Sequence, residues 1–273
     1  MPNIACVQLN SASDVAENLR QIDRLVREAA SNGAELIALP EAAEFMADKP
    51  QLYVEHANAS NDEALRFLAD LARDVRRWLL VGSLSLRAHD GKVANRSHLI
   101  DPSGAVVAIY DKIHLFDVSL PNGQSHRESD IYSAGDHAVL ADTPWGKIGL
   151  TICYDIRFPL LFRQLSQAGA RILFVPAAFT PLTGELHWET LIRARAIETG
   201  CYVIAPAQCG ERDDGLRCYG HSLIVDPWGR VLADAGENVG IISAPIDLDM
   251  PGEYRQAIPA PLLERPYSAP IAN

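Results

Sequence analysis

Three residues far apart in the chain have side-chain types that together suit acyl transfer: Glu41 at the end of "ELIALPE", Lys112 at the end of "AIYDK" and Cys153 at the end of "GLTIC". A thiolate is the strongest side-chain nucleophile, but a free cysteine titrates near ~8.5 and needs a base to take its proton. A neighbouring glutamate can be that base, yet a carboxylate alone raises the thiol pKa by like-charge repulsion. An ammonium offsets the repulsion and also stabilises the oxyanion formed when sulfur attacks a carbonyl; one such preorganised donor is worth about 3–4 kcal/mol. The backbone N–H of Tyr154, just past the thiol, is a second candidate donor. The set points to acyl transfer through a thioester. Taken singly, each member has a plain structural explanation: Cys153 as a core thiol, Glu41 as a loop carboxylate, Lys112 as a solvated strand end. A histidine base is the rival arrangement, and among eight histidines His114, His187 or His221 could serve Cys153 as an imidazole serves a cysteine protease.

Such residues need strands and helices to bring them together. Candidate strands are "IACVQL", "AELIALP", "LLVGSLSL", "SHLIDP", "VVAIYDK", "KIGLTIC", "RILFVPAA", "CYVIAPAQ", "HSLIVDP" and "GIISAPID", rich in Val, Ile and Leu and bounded by Gly, Pro and Asp. Glu41, Lys112 and Cys153 each close one of them, and in open α/β sheets sites assemble at the carboxyl ends of strands. Helical spacing of Val15, Leu19, Ile22, Val26 and Ala29 predicts a helix opened by an Asp14–Glu17 capping box and closed near Gly33. A second helix is expected from Ser60, with Glu63, presenting Ala64, Leu68, Leu71 and Val75; two more are expected at about Pro159 to Ala168 and about Glu185 to Thr199. This alternation predicts an α/β architecture with helices covering a sheet. The segments "HLIDPSGAVV" (98 to 107) and "SLIVDPWGRVL" (222 to 232) share a strand, a D-P-x-G turn and a second strand, a hint of internal duplication.

Composition bounds the function classes. The 273 residues carry 24 basic and 35 acidic side chains, a net charge of −11, so an acidic chain without a basic stripe is a poor partner for nucleic acid. No secretory leader pattern or membrane-length apolar run stands out, and a soluble cytoplasmic protein is expected. Five cysteines at 6, 153, 201, 209 and 218 fit neither a disulfide framework nor a zinc site. With no ligand spacing and no glycine-rich phosphate loop, neither a metal nor an organic cofactor is expected.

The motifs "LPE" with Glu41, "YDKIHLFDV" with Lys112 and "GLTICYDIRFP" with Cys153 resemble, in the same order, the three signature segments of the carbon–nitrogen hydrolase (nitrilase) superfamily. The resemblance runs from "ACVQLN" to "RQAIP". It implies a four-layer α-β-β-α sandwich with internal pseudo-two-fold symmetry, formed by a single domain over residues 1–273. It implies that Glu41 is the general base, that Lys112 holds the tetrahedral intermediate, and that a second glutamate, which maps onto Glu128 in "HRESDIYSAG", supports them. It also implies a homodimer or higher homo-oligomer, with the tail from about residue 250 to 273 docking on the partner. The segments "PAAFTPLTGELHWETLIRARAIET", "APAQCG" and "YGHSLIVDPWG" are similar to the branch that acts on deaminated glutathione and on ω-amides of 2-oxo acids. A 2-oxo-acid amide needs a cationic carboxylate clamp; Arg157 is the candidate, with Thr180 as a hydrogen-bonding partner. The expected activity is that of a cysteine-dependent amidase on a small-molecule amide, deaminated glutathione first. Alternatives are 2-oxoglutaramate, an N-carbamoyl amine, or a non-catalytic interaction protein on the same fold.

Overall fold

The computed structural model describes residues 1–59, 62–121, 123, 125–212, 215–263 and 265–268. The first half of the chain forms β1 (Asn3–Gln8), α1 (Val15–Ser31), β2 (Leu36–Ala38), α2 (Pro50–Ala59), α3 (Glu63–Val75), β3 (Trp78–Arg87), β4 (Val93–Ile100) and β5 (Val106–Asp111). A small hairpin, β6 (Asp117–Ser119) and β7 (Ser125–Arg127), and the short β8 (Tyr132–Ser133) complete it. The second half forms β9 (Val139–Thr143), β10 (Gly146–Leu150), α4 (Pro159–Gln167), β11 (Ala170–Phe174), α5 (Pro181–Thr199) and β12 (Tyr202–Ala205). A second hairpin, β13 (Cys209–Glu211) and β14 (Arg217–Tyr219), leads to β15 (Leu223–Val225), β16 (Val231–Asp234), β17 (Gly240–Pro245) and α6 (Met250–Ala257).

One sheet has the order β17-β1-β2-β3-β4-β5, with β8 added beside β4; the other has the order β9-β10-β11-β12-β15-β16. Read from β17 and from β9, the two run antiparallel, parallel, parallel, antiparallel, antiparallel. The D-P-x-G segments occupy equivalent places, as β4–β5 and β15–β16. Their turns are built alike: Asp101 Oδ1 accepts from Ser103 N–H (2.8 Å) and Ala105 N–H (3.0 Å), and Asp226 Oδ1 from Trp228 N–H (2.8 Å) and Arg230 N–H (3.0 Å). Gly104 (φ +85°) and Gly229 (φ +77°) close them in the left-handed conformation that suits glycine. The duplication seen in the sequence is therefore a duplication of the fold.

The sheets pack face to face with helices outside. On β1, Ile4 and Cys6 join the core between the sheets, whereas Ala5 and Val7 join the core beneath α1 and α3. Burial on both faces explains why these strands read as unbroken apolar runs. Helices α4 and α5 cover the second sheet, giving the four-layer sandwich.

Helix expectations hold with local corrections. Asp14 caps α1 by accepting from Glu17 N–H at 3.0 Å, but the Glu17 carboxylate turns to Arg20 at 2.6 Å, so only half of the capping box forms. The helix expected from Ser60 is α3, starting at Glu63; Ser60 lies outside the described residues. Helix α5 begins at Pro181, four residues before the expected start, because proline suits the first turn. Helices α2 and α6 had no sequence signal. The C-terminal segment begins by packing on its own chain: Tyr254 is buried and donates to the Ile197 carbonyl at 2.7 Å.

Candidate active site

Glu41 lies in the turn after β2. Gly82 of β3 lies against this turn so closely that a Cβ there would stand 2.2 Å from the Leu39 carbonyl oxygen, 2.4 Å from that of Pro40 and 2.5 Å from Pro176 Cβ. The β3–β4 register shifts at this point, and the irregularity presents Ser83 to the turn. The Ser83 hydroxyl accepts from Ala42 N–H (2.9 Å) and its carbonyl from Ala43 N–H (3.1 Å). From β12's exit, Gln208 Nε2 donates to the Glu41 carbonyl at 2.9 Å.

Cys153 follows β10 and opens a short 3₁₀ turn, Cys153–Arg157, with φ +48°. A left-handed non-glycine residue is strained and must be held by its surroundings. Its N–H donates to the Pro176 carbonyl at 2.9 Å. The fully buried Asp155 braces the turn, accepting from Tyr110 Oη (2.6 Å), Ile152 N–H (2.8 Å) and His114 N–H (3.0 Å). Tyr154 N–H lies in the first turn of this 3₁₀ segment, where amides lack an intrahelical acceptor.

Lys112 leaves β5, pinned by its N–H to the Asn95 carbonyl (3.0 Å) and by its carbonyl to Gly135 N–H (2.8 Å). Its Nζ lies 3.0 Å from Glu41 Oε1 and 3.0 and 2.9 Å from the two oxygens of Glu128. Asn95 Nδ2 bridges the same carboxylates, at 2.9 Å from Glu41 and 3.4 Å from Glu128. Ala178 N–H donates to the other Glu41 oxygen at 3.0 Å, and Phe116 N–H to Glu128 at 2.5 Å. The thiol of Cys153 adjoins Glu41 and Lys112, close enough for both to act on its charge. Asp111, beside Lys112, turns away into a bidentate pair with Arg96 at 2.6 and 2.8 Å.

The electrostatics follow from this packing. Lys112 is only 2% exposed; burial opposes its charge, but Glu128, Glu41 and Cys153 outweigh it and hold its pKa well above the ordinary value. Two carboxylates around one ammonium leave the cluster net negative. Burial first, and then Glu41, therefore push the Cys153 thiol well up, with Lys112 only partly offsetting them. The resting state is a protonated thiol beside a glutamate.

Cys153 is 9% exposed, and it lines a cavity of about 890 Å³ together with Glu41, Lys112, Glu128, Arg157 and Thr180. The sulfur is thus buried yet open to a ligand. Arg157 sits between the rings of Tyr154 and Phe179, 5.9 and 5.5 Å from their centroids, and both terminal nitrogens lie 3.3 Å from His187 Nδ1. Thr180 stands at the N-cap of α5 without capping it through its side chain; its hydroxyl meets that of Thr183 at 3.0 Å.

The histidine alternatives are engaged elsewhere. Strand β5 stops at Asp111, so His114 leaves the strand, bonds Asp155 at 2.7 Å and stacks on Phe158. His187 accepts from Arg157, and His221 pairs with Asp234 at 3.0 Å. Glu128 was legible only through the resemblance. Asn95, Gln208 and Asp155 were not singled out as site residues; for Asp155, its place two residues past the thiol in "CYD" was the available signal.

The carbon–nitrogen hydrolase family model matches residues 3–256. Deaminated glutathione amidase of Synechocystis sp. (strain PCC 6803 / GT-S) is 42% identical over 94% of this chain and 95% of its own. The Mus musculus protein of the same name is 43% identical over 97% of this chain and 84% of its own. The crystal structure of the C. elegans NitFhit protein superposes with a TM-score of 0.91 at 37% identity, over 97% of this chain and 65% of that longer one.

Proposed function

This chain belongs to the carbon–nitrogen hydrolase family, and from that premise we propose that it hydrolyses deaminated glutathione through a thioester on Cys153, with Glu41, Lys112 and Glu128 as its catalytic partners. The observation that carries this reading is the Cys153 thiol, beside Glu41 at the wall of an accessible cavity, with Lys112 held between two carboxylates next to it.

Glu41 takes the thiol proton as sulfur attacks the amide carbonyl. Proton loss and attack are coupled, because the high thiol pKa keeps free thiolate scarce. Lys112 Nζ and Tyr154 N–H stabilise the developing oxyanion. Glu128, gripping Nζ with both oxygens, holds the ammonium in position, and the third Nζ donor, bonded to Glu41 at rest, is the one that turns to the oxyanion once Glu41 has taken the thiol proton. Glu41 then returns its proton to the leaving amine, cysteinylglycine. Water activated by Glu41 cleaves the thioester and releases 2-oxoglutarate. Arg157, whose guanidinium plane is fixed by two rings, clamps the 2-oxo-acid carboxylate together with Thr180.

The same reading takes the protein as a cytoplasmic homodimer. Cys6, Cys153, Cys201 and Cys209 are buried free thiols, in keeping with a reducing compartment. No helix among the described residues is long and apolar enough to cross a membrane. Exposed Leu160 of α4, Leu186 of α5 and Leu262 and Leu263 just past α6 lie on elements in mutual contact and supply an apolar strip for a second copy. Docking on the partner falls to residues beyond α6. Replacing Cys153 by Ala should abolish turnover of deaminated glutathione, whereas Cys209→Ala, at a buried thiol outside the cavity, should retain it; equal losses would contradict the assignment.

A further inference from the structure

The cavity extends well past the reacting carbonyl. At about 890 Å³ it is near the upper end of small-molecule sites, roughly 300–1,000 Å³. Arg157, on one wall, accounts for one carboxylate. The hairpins β6–β7 and β13–β14 add Arg127, Arg212 and Arg217 to the lining, against Asp48 as the acidic residue among the described lining outside the Glu41–Lys112–Glu128 cluster. In a chain of net charge −11, this is a local concentration of the minority charge. Arg212 is only 8% exposed although it lies at a hairpin, so its guanidinium is drawn into the wall rather than left in solvent. The base of that hairpin is tied to the catalytic turn. Tyr219 N–H donates to Phe179 O (2.9 Å), Cys209 N–H to Leu9 O (2.7 Å), and Gln208 Nε2 to Glu41 O (2.9 Å). The backbone that carries Arg212 and Arg217 is therefore held at a set reach from Glu41. The ion pair of Arg217 with Glu211, at 3.9 Å between exposed side chains, is too weak to fix the Arg217 side chain in place.

We infer that Arg212, flanked by Arg217 and Arg127, receives a second carboxylate at the leaving-amine end, so that the substrates are amides anionic at both ends. This rests on the amidase reading above. A charged hydrogen bond of this kind is worth roughly a ten- to hundred-fold factor in kcat/KM.

The test compares deaminated glutathione with its C-terminal glycinamide, which lacks only the distal charge, on the wild-type protein and on Arg212→Gln, Arg217→Gln and Arg127→Gln. The wild type should favour the acid by about ten-fold or more, and Arg212→Gln should bring that ratio close to one; the exposed Arg217 and Arg127 variants should each lower it. Damage to folding would lower both rates alike and leave the ratio intact, and should Arg212→Gln not fold, the two exposed variants decide. A wild-type ratio near one, or a ratio unmoved in every variant, overturns the inference while leaving the amidase reading standing. Failure of the wild type to cleave either amide overturns the reading itself.

Discussion

The proton on Cys153 is the detail that most constrains the chemistry. Its thiol is raised by burial and by Glu41, so at neutral pH it is a weaker resting nucleophile than an exposed cysteine and depends on Glu41 at the moment of attack. Raising a thiol pKa lowers its thiolate fraction at any given pH. Iodoacetamide labelling of Cys153, followed by peptide mapping, should therefore accelerate only above pH ~9, the ordinary thiol range; an inflection below pH ~8 would show an ion-paired thiolate instead. The meeting of Cys153, Glu41 and Lys112 was legible in the sequence because each side chain closes an apolar strand. Asn95 was not, since a lone amide within β4 has no local pattern that separates a bridge between the Glu41 and Glu128 carboxylates from a solvated strand residue. Apart from the family resemblance Glu128 was silent too, because only the path of the β6–β7 hairpin brings it to Lys112.

Among the elements, β3 helps place the site through its backbone at Gly82. Gly82 lies between the backbone that carries Glu41 and Pro176, whose carbonyl holds Cys153 N–H. A methyl group has no room there, and the atoms it meets include two backbone carbonyl oxygens that cannot swing aside. Gly82→Ala should displace Glu41 relative to Cys153 and lower kcat by about 10²-fold, a loss that a misplacement of order 1 Å can cause. Steady-state kinetics on folded variant, checked by circular dichroism, measures it; wild-type kcat would remove β3 from the positioning scheme. The doubly buried strands were legible because their runs lack polar residues, and the two D-P-x-G hairpins because Asp, Pro and Gly have fixed turn roles. Helix α2 escaped because only Ala57 of its ten residues is buried, leaving no amphipathic stripe to read. The hairpins β6–β7 and β13–β14 escaped because strands of three residues are too short for alternation to show.

Across the whole molecule, stability should depend on His98 of β4. Burial, with a smaller contribution from Arg96, lowers its pKa from 6.5 to about 4, and its Nδ1 has no hydrogen-bond partner. The unfolded chain takes up a proton that the folded one refuses. The stability this histidine contributes is therefore intact above pH ~6.5 and is lost as pH falls toward about 4, at a cost of about 3 kcal/mol. Urea unfolding at pH 7.5 and 4.5 should show His98→Leu losing less stability between the two conditions than the wild type; equal losses would mean that His98 titrates normally. The two-fold repeat of sheet order explains how a chain with a single site comes to have two D-P-x-G hairpins: the fold was doubled, while Cys153 belongs to one half and Glu41 and Lys112 to the other. The most direct measurement is rapid acid quench of the wild-type protein with deaminated glutathione, followed by peptide mass mapping. A 2-oxoglutaryl adduct confined to Cys153, absent from a Glu41→Gln variant that cannot take the thiol proton, is the predicted result; turnover with no adduct on Cys153, or an adduct on another residue, would contradict the account.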